Sequence, residues 1–211
     1  MPSRSSLIVF DAPLRRVLEA PLARVAAAMD KRWVTPDRLT TSGLVLGLGS
    51  AVTAGLQWWY IALVLWLLSR CADGLDGPLA RHRQAQSGAG GFYDITADFI
   101  VYGSTVVGVA VGVSAAFGAP QWPFLLVLLA YYINGAAFLA FSSIAEKTGR
   151  TLDDGRSLSF LGGLAEGAET VLVHSLWLLF PMFGWQIALV WSVVVGVSAA
   201  QRIVGGYRAL S

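Results

Sequence analysis

Charge is scarce in this sequence. Of its 211 residues, 15 are Lys or Arg and 13 are Asp or Glu, together 13%, whereas soluble globular domains carry about 25% charged residues. That deficit excludes a free-standing water-soluble domain. Cysteine is nearly absent: Cys71 stands alone and cannot form an intramolecular disulfide. The first 30 residues lack the apolar core of a cleavable signal peptide, and no internal repeat or low-complexity segment stands out. Basic residues form no contiguous stripe, which leaves nucleic-acid binding unsupported. What is abundant is apolar: 55% of the residues are hydrophobic and the mean hydropathy is +0.62. These values predict an all-α integral membrane protein.

The few charges are also unevenly placed. Residues 39–69, 99–145 and 170–201 contain no Asp, Glu, Lys or Arg, and each stretch exceeds the roughly 20 residues of one crossing. Each is expected to fold back once, at Gly55-Leu56-Gln57-Trp58-Trp59, at Gly118–Pro123 and at Pro181–Trp185, because Gly and Pro interrupt helices and Trp prefers the membrane interface. Six transmembrane helices follow, near 39–56, 59–82, 90–117, 123–145, 162–181 and 185–203. Those three turns carry no charge, while Arg70, Arg81, Arg83, Lys147, Arg150, Arg156, Arg202 and Arg208 lie at the other ends. By the positive-inside rule both termini and the 82–89 and 146–160 connections are cytoplasmic. Leu14, Val17, Leu18, Leu22, Val25 and Ala26 recur at helical spacing among basic residues, so 12–30 reads as an amphipathic helix on the cytoplasmic surface, with a loosely attached tail as the alternative.

Against this apolar background, Asp73, Asp76, Asp94 and Asp98 fall in the second and third helices. A charged Asp near a bilayer centre costs roughly 2.5–3.5 kcal/mol on insertion scales, so four together require compensation by cations. Asp73, Asp76, Gly77 and Ala80 form one stripe at i, i+3, i+4 and i+7, and Gly90, Asp94 and Asp98 form another at i, i+4 and i+8. Two such helices joined by a short loop converge four carboxylates, with small residues allowing close approach. Clustered carboxylate oxygens without His or Cys suit Mg²⁺ or Mn²⁺. The plainer alternative is that some of the aspartates cap helices or pair with Arg70, Arg81 and Arg83.

The segment Asp73-Gly-Leu-Asp76-Gly77-Pro-Leu-Ala80-Arg81, then residues 82–89, then Gly90, Asp94 and Asp98, matches every position of a known signature and resembles the CDP-alcohol phosphatidyltransferases. A weaker element, Thr35-Pro36-Asp37 and Thr40, also resembles that family, with Asp37 where the family has Asn. The resemblance covers residues 33–205 and implies a six-helix catalytic domain over 33–211 behind a cytoplasmic juxtamembrane segment, 1–32.

It further implies transfer of a phosphatidyl group from a CDP-linked lipid, usually CDP-diacylglycerol, to a small alcohol acceptor, with release of CMP. On the same grounds Asp73, Asp76, Asp94 and Asp98 are expected to hold metal, a pair of ions in the family's manner, with Asp98 also the general base. Gly77, Ala80, Gly90 and Arg81 are expected at the nucleotide lipid, and the enzyme is expected to be a homodimer in a bacterial inner membrane with its site on the cytoplasmic side. For the acceptor, Glu166 and Glu169 at the fifth helix and Lys147, Arg150 and Arg156 before it are the candidates. The fifth helix lacks the Arg of relatives that use phosphorylated acceptors, and Glu166, Thr170 and His174 share a face as either acceptor contacts or an internal polar cluster. A rival class, a transporter whose intramembrane carboxylates bind the moving ion, has no need of the Asp-Gly-x-x-Ala-Arg context. Nor does a scaffold with a structural cation need a cytoplasmic site.

Overall fold

A computed structural model of the chain describes residues 11–149 and 167–211. The described residues are helical and contain no strand: α1 (Asp11–Ala28), α2 (Pro36–Gly55), α3 (Trp59–His82), α4 (Gly88–Phe117), α5 (Trp122–Lys147), α6 (Gly167–Leu179) and α7 (Gly184–Leu210), with a short 3₁₀ turn at Pro181–Phe183. The three expected breaks fall between α2 and α3, between α4 and α5, and at the 3₁₀ turn. Gly118 closes α4 in the left-handed conformation at φ 64°, which glycine adopts without steric cost. Local chemistry sets the other ends of the site helices. Thr35 caps α2 by accepting from Arg38 N, with Pro36 in the first turn, and Ser87 caps α4 by accepting from Gly90 N.

Among the described residues, three segments, Gly88–Phe117, Trp122–Lys147 and Pro181–Leu210, are long and apolar enough to cross a membrane. Their outward faces are apolar too: Val107 and Val111 on α4, Leu125 and Leu129 on α5, and Val190, Val193 and Val197 on α7 are exposed at helical spacing. Such stripes would be a liability in water and are what lipid solvates. The chain is an integral membrane protein. α3 carries Arg70, Asp73, Asp76 and Arg81, and the first turn of α2 holds Asp37 and Arg38, which is why neither is as uniformly apolar.

α2 packs against both α3 and α4, α5 runs along α7, and α6 leans on α3. Trp66, Val101, Val106, Val109, Val113, Phe124, Val127, Trp177 and Val195 form the common core. Close approach of α2 to its neighbours rests on small residues and hydroxyls. Ser50 Oγ donates to Ala62 O at 2.8 Å and Ser69 Oγ to Gly43 O at 2.7 Å. A Cβ at Gly108 would fall onto the Ala51 backbone carbonyl, and one at Gly112 onto that of Ala54. Gly108 and Gly112 thus serve contact inside the bundle. We expect Gly108→Ala to lower the melting temperature sharply, since overpacking costs about 1–3 kcal/mol even where side chains can yield and here the obstacle is backbone. Gly103→Ala, facing open space, should melt within a degree or two of the parent; equal melting of the two variants in one detergent would contradict this packing.

α1 is helical where an amphipathic helix was expected, and Ala26 with Val34 packs on Leu79 at the end of α3. Asp30, just beyond α1, accepts from Arg83 Nε at 2.7 Å and from Arg83 Nη2, and Arg83 Nη2 donates to Lys31 O at 2.8 Å. α3 and α4 are joined by residues 83–87 alone. That turn holds Gln84 at φ 52°, and Ala85 N donates to Ala80 O at 2.9 Å.

Candidate active site

The α3–α4 hairpin brings the aspartates together. One carboxylate oxygen from each of Asp73, Asp76 and Asp94 lies within 4.8 Å of the others. Asp76 is buried and accepts from Thr40 Oγ1 at 2.5 Å, so the first turn of α2 supplies a third wall. Three crowded carboxylates repel each other unless a cation joins them. Their all-oxygen donor set fits a hard divalent ion such as Mg²⁺ or Mn²⁺.

Asp98 lies outside this trio. Its Oδ1 accepts from Arg70 Nη1 at 2.6 Å, and the same guanidinium nitrogen is 3.6 Å from Asp73 Oδ1. Among the described residues, Arg70 is the cation within ion-pair distance of this cluster, and it reaches Asp98 and Asp73. Its side chain is only 7% exposed and lies over the rings of Trp66 and Tyr102, 5.2 and 5.0 Å from their centroids. Nη1 also reaches Tyr102 Oη at 3.3 Å, and Nη2 donates to Ser69 Oγ at 3.0 Å.

Next to the trio opens a cavity of about 370 Å³, lined by Thr35, Asp37 and Thr40 of the α2 region, Asp76, Gly77, Ala80 and Arg81 of α3, and Gly90 and Asp94 of α4. Its size falls within the range of small-ligand sites. Gly77 leaves room for Arg81, whose Nη1 would lie 3.4 Å from an added Cβ. The three arginines that bracket the motif in sequence therefore diverge in space: Arg70 meets the aspartates, Arg83 meets Asp30, and Arg81 is left at the cavity.

Of the acceptor candidates, Glu166, Arg150 and Arg156 lie outside the described residues. Lys147 is exposed at the end of α5. Glu169 has a buried Oε2 without a hydrogen-bond partner among the described residues. His174 is fully buried, bonded to Tyr131 Oη through Nε2 at 2.9 Å and stacked on Trp66 at 4.8 Å; Trp191 Nε1 donates to Tyr131 Oη at 2.7 Å. The described surroundings of His174 thus make it part of an internal aromatic and polar cluster, not of the cavity. Two residues escaped sequence reasoning. Thr40 was visible only as a motif position, and Arg70 only as a possible partner; a run of apolar residues gives no sign that Trp66 and Tyr102 close around it.

The family model described as CDP-alcohol phosphatidyltransferase matches residues 33–198. "Inner membrane protein YnjF" of Escherichia coli (strain K12) is 35% identical over 209 residues, covering 96% of this chain and 97% of that protein. The archaetidylinositol phosphate synthase of Pyrococcus horikoshii is 29% identical over 123 residues, 57% of this chain and 63% of that one. Among solved structures, Mycobacterium tuberculosis phosphatidylinositol phosphate synthase (PgsA1) with CDP-DAG bound shares the fold at TM-score 0.61 and 20% identity, over 90% of this chain and 91% of that one. The same enzyme in complex with manganese and citrate gives TM-score 0.63 at 21% identity, over 90% and 88% of the two chains.

Proposed function

The chain belongs to the CDP-alcohol phosphatidyltransferase family, and we propose that it transfers a phosphatidyl group from CDP-diacylglycerol to a small alcohol and releases CMP. The observation that carries this is the convergence of Asp73, Asp76 and Asp94 beside a cavity lined by Gly77, Ala80, Arg81 and Gly90, four further positions of the motif. The manganese and the CDP-DAG in the M. tuberculosis enzyme lend support.

In this mechanism Asp98 accepts the proton of the acceptor hydroxyl as its oxygen attacks the lipid-bearing phosphorus. The bond from that phosphorus to the bridging oxygen breaks, and the bridging oxygen leaves with CMP. Arg81, which has no ion-pair partner among the described residues and lines the cavity, faces the diphosphate. Thr40 fixes Asp76 from α2. Divalent ions held by Asp73, Asp76 and Asp94, with Asp98 helping to bind metal besides acting as base, would supply the charge neutralisation that displacement between anionic phosphates requires.

The six-span arrangement, with both termini, the amphipathic α1 and the site on the cytoplasmic face, belongs to this reading, as does the division at residue 33. It is supported by the basic residues gathered at the α3–α4 turn, and it lets CMP and acceptor exchange with water while acyl chains stay in lipid. A homodimer belongs to it too, on family grounds and not on Gly108 or Gly112, which α2 already covers.

Purified protein given CDP-diacylglycerol, Mn²⁺ or Mg²⁺ and a panel of alcohols should release CMP with one of them. Cation uptake into vesicles without CMP release would favour a transporter instead. Within that assay, Glu169→Gln should raise the acceptor's apparent KM and leave that of CDP-diacylglycerol unchanged, because loss of uniform binding to one substrate appears in its KM. Unchanged kinetics with a phosphorylated acceptor preferred would move acceptor recognition to Lys147, Arg150 and Arg156.

A further inference from the structure

We propose that the end of α1 belongs to the nucleotide site: Asp30 is a positioning residue for Arg83, whose Nη1 donates to the pairing edge of the cytosine. The inference rests on the reading of the cavity above as the place of a CDP-linked lipid. Arg83 caps the end of α3 and lines that cavity. Its Nε and Nη2 both donate to Asp30 Oδ1, the former at 2.7 Å, and Nη2 also donates to Lys31 O at 2.8 Å. That side of the guanidinium is spent on the segment between α1 and α2. Nη1 remains, with no hydrogen-bond partner among the described residues.

Two arginines at the cavity thus work at different depths. Arg81 folds back along α3, since its Nη1 would lie 3.4 Å from a Cβ at Gly77, beside Asp76 and the carboxylate trio where the diphosphate belongs. Arg83 turns the other way, toward Asp30, and stands seven residues beyond Asp76, roughly 10 Å along a helix axis. Between those depths there is room for a ribose, which puts the base at Arg83. Cytosine presents O2 and N3 there as acceptors, and a guanidinium is a donor only. Clamped on one side by a carboxylate, its planar fork aims the remaining nitrogen in a fixed direction, which a lysine ammonium does not reproduce. Anchoring α1 does not account for the pair. An exposed ion pair adds little to stability, and Ala26 and Val34 already pack on Leu79. His82 Nε2, 3.4 Å from Asp30 Oδ2, approaches the other carboxylate oxygen and leaves Oδ1 to Arg83.

Calorimetry on detergent-purified full-length protein with Mn²⁺ tests this by comparing CMP with ribose 5-phosphate, because only CMP carries the base. The parent should bind CMP the more tightly. Arg83→Gln should weaken CMP binding by about tenfold, the scale of a charge-assisted hydrogen bond, and leave the affinities for ribose 5-phosphate and Mn²⁺ unchanged. Asp30→Ala should shift CMP the same way by less. Asp30→Ala combined with Arg83→Gln should match Arg83→Gln alone, since Asp30 acts only through Arg83. Arg83→Lys, the fallback if the glutamine variant does not fold, should also lose most of the preference for CMP. Equal weakening of both ligands would place Arg83 at the phosphate, and loss of Mn²⁺ binding would make the pair a structural tie. Either result overturns the proposal, as does parental CMP affinity in a folded Arg83 variant or additive effects in the double variant. A parent that binds neither CMP nor ribose 5-phosphate would instead remove the reading of the cavity itself, and this inference with it.

Discussion

Replacement of Asp98 by Asn should reduce CMP release by at least 10²–10⁴-fold, the usual contribution of a positioned general base, while Mn²⁺ and CDP-diacylglycerol still bind. The expectation follows from where Asp98 sits. It pairs with Arg70 while Asp73, Asp76 and Asp94 draw together without it, so an uncharged side chain here still leaves three carboxylates for the cation, and it does not line the nucleotide-sized cavity. An amide keeps the size and can still accept from Arg70 Nη1 through its oxygen, so the Arg70 cluster should survive. What it cannot do is take a proton from an attacking hydroxyl. Single-turnover CMP formation with saturating acceptor is the measurement. A variant that turns over within a fewfold of the parent would remove Asp98 from the chemistry.

Asp76→Asn should fail in the opposite way. Asp76 is the most buried member of the trio and is held by Thr40, so its loss leaves two carboxylates and a misdirected hydroxyl. We expect Mn²⁺ affinity to fall by 100-fold or more, judging from the 10–100-fold cost of losing merely an outer partner of a ligand, and CDP-diacylglycerol binding to fall with it. Without metal, the variant should nevertheless melt higher than the parent, because one of three mutually repelling buried charges has gone. Calorimetry with Mn²⁺ and metal-free thermal melts separate the two effects. Intact Mn²⁺ binding in Asp76→Asn, or a lower metal-free melting temperature, would mean that Asp76 is a structural carboxylate and not a ligand.

The helices were largely legible in the sequence because the bilayer imposes one strong rule, that charge stays out of lipid. Charge-free stretches broken at Gly55–Trp59, Gly118–Pro123 and Pro181–Trp185 placed the helix ends from α2 to α5 within about three residues. The same rule misjudges where a helix stops outside lipid. α7 was expected to end near 203 but continues to Leu210, since Arg202 and Arg208 sit as comfortably in a helix as in a loop. The aspartate stripes were legible for a different reason: helical periodicity alone puts Asp73 with Asp76 and Asp94 with Asp98. What periodicity cannot give is the rotation of one helix against another. Whether Asp98 joins the trio or turns to Arg70, and whether Thr40 of α2 meets Asp76, depends on contacts such as Gly108 on Ala51 and Trp66 on Tyr102 that are set by packing across distant segments.

The five-residue link between α3 and α4 has a consequence for how this protein can vary. Each residue added to a helix turns everything beyond it by about 100°, so one extra residue between Gly90 and Asp94 would swing Asp98 away from Arg70 and carry Val101, Val106 and Val109 out of the core together. The link is almost as intolerant, because the backbone bond from Ala85 to Ala80, the left-handed Gln84 and the Ser87 cap occupy nearly its whole length. The eight residues separating Arg81 from Gly90 therefore behave as a gauge block. They set the phase between two helices, and chain length in this hairpin is constrained even where the identity of the side chains is not.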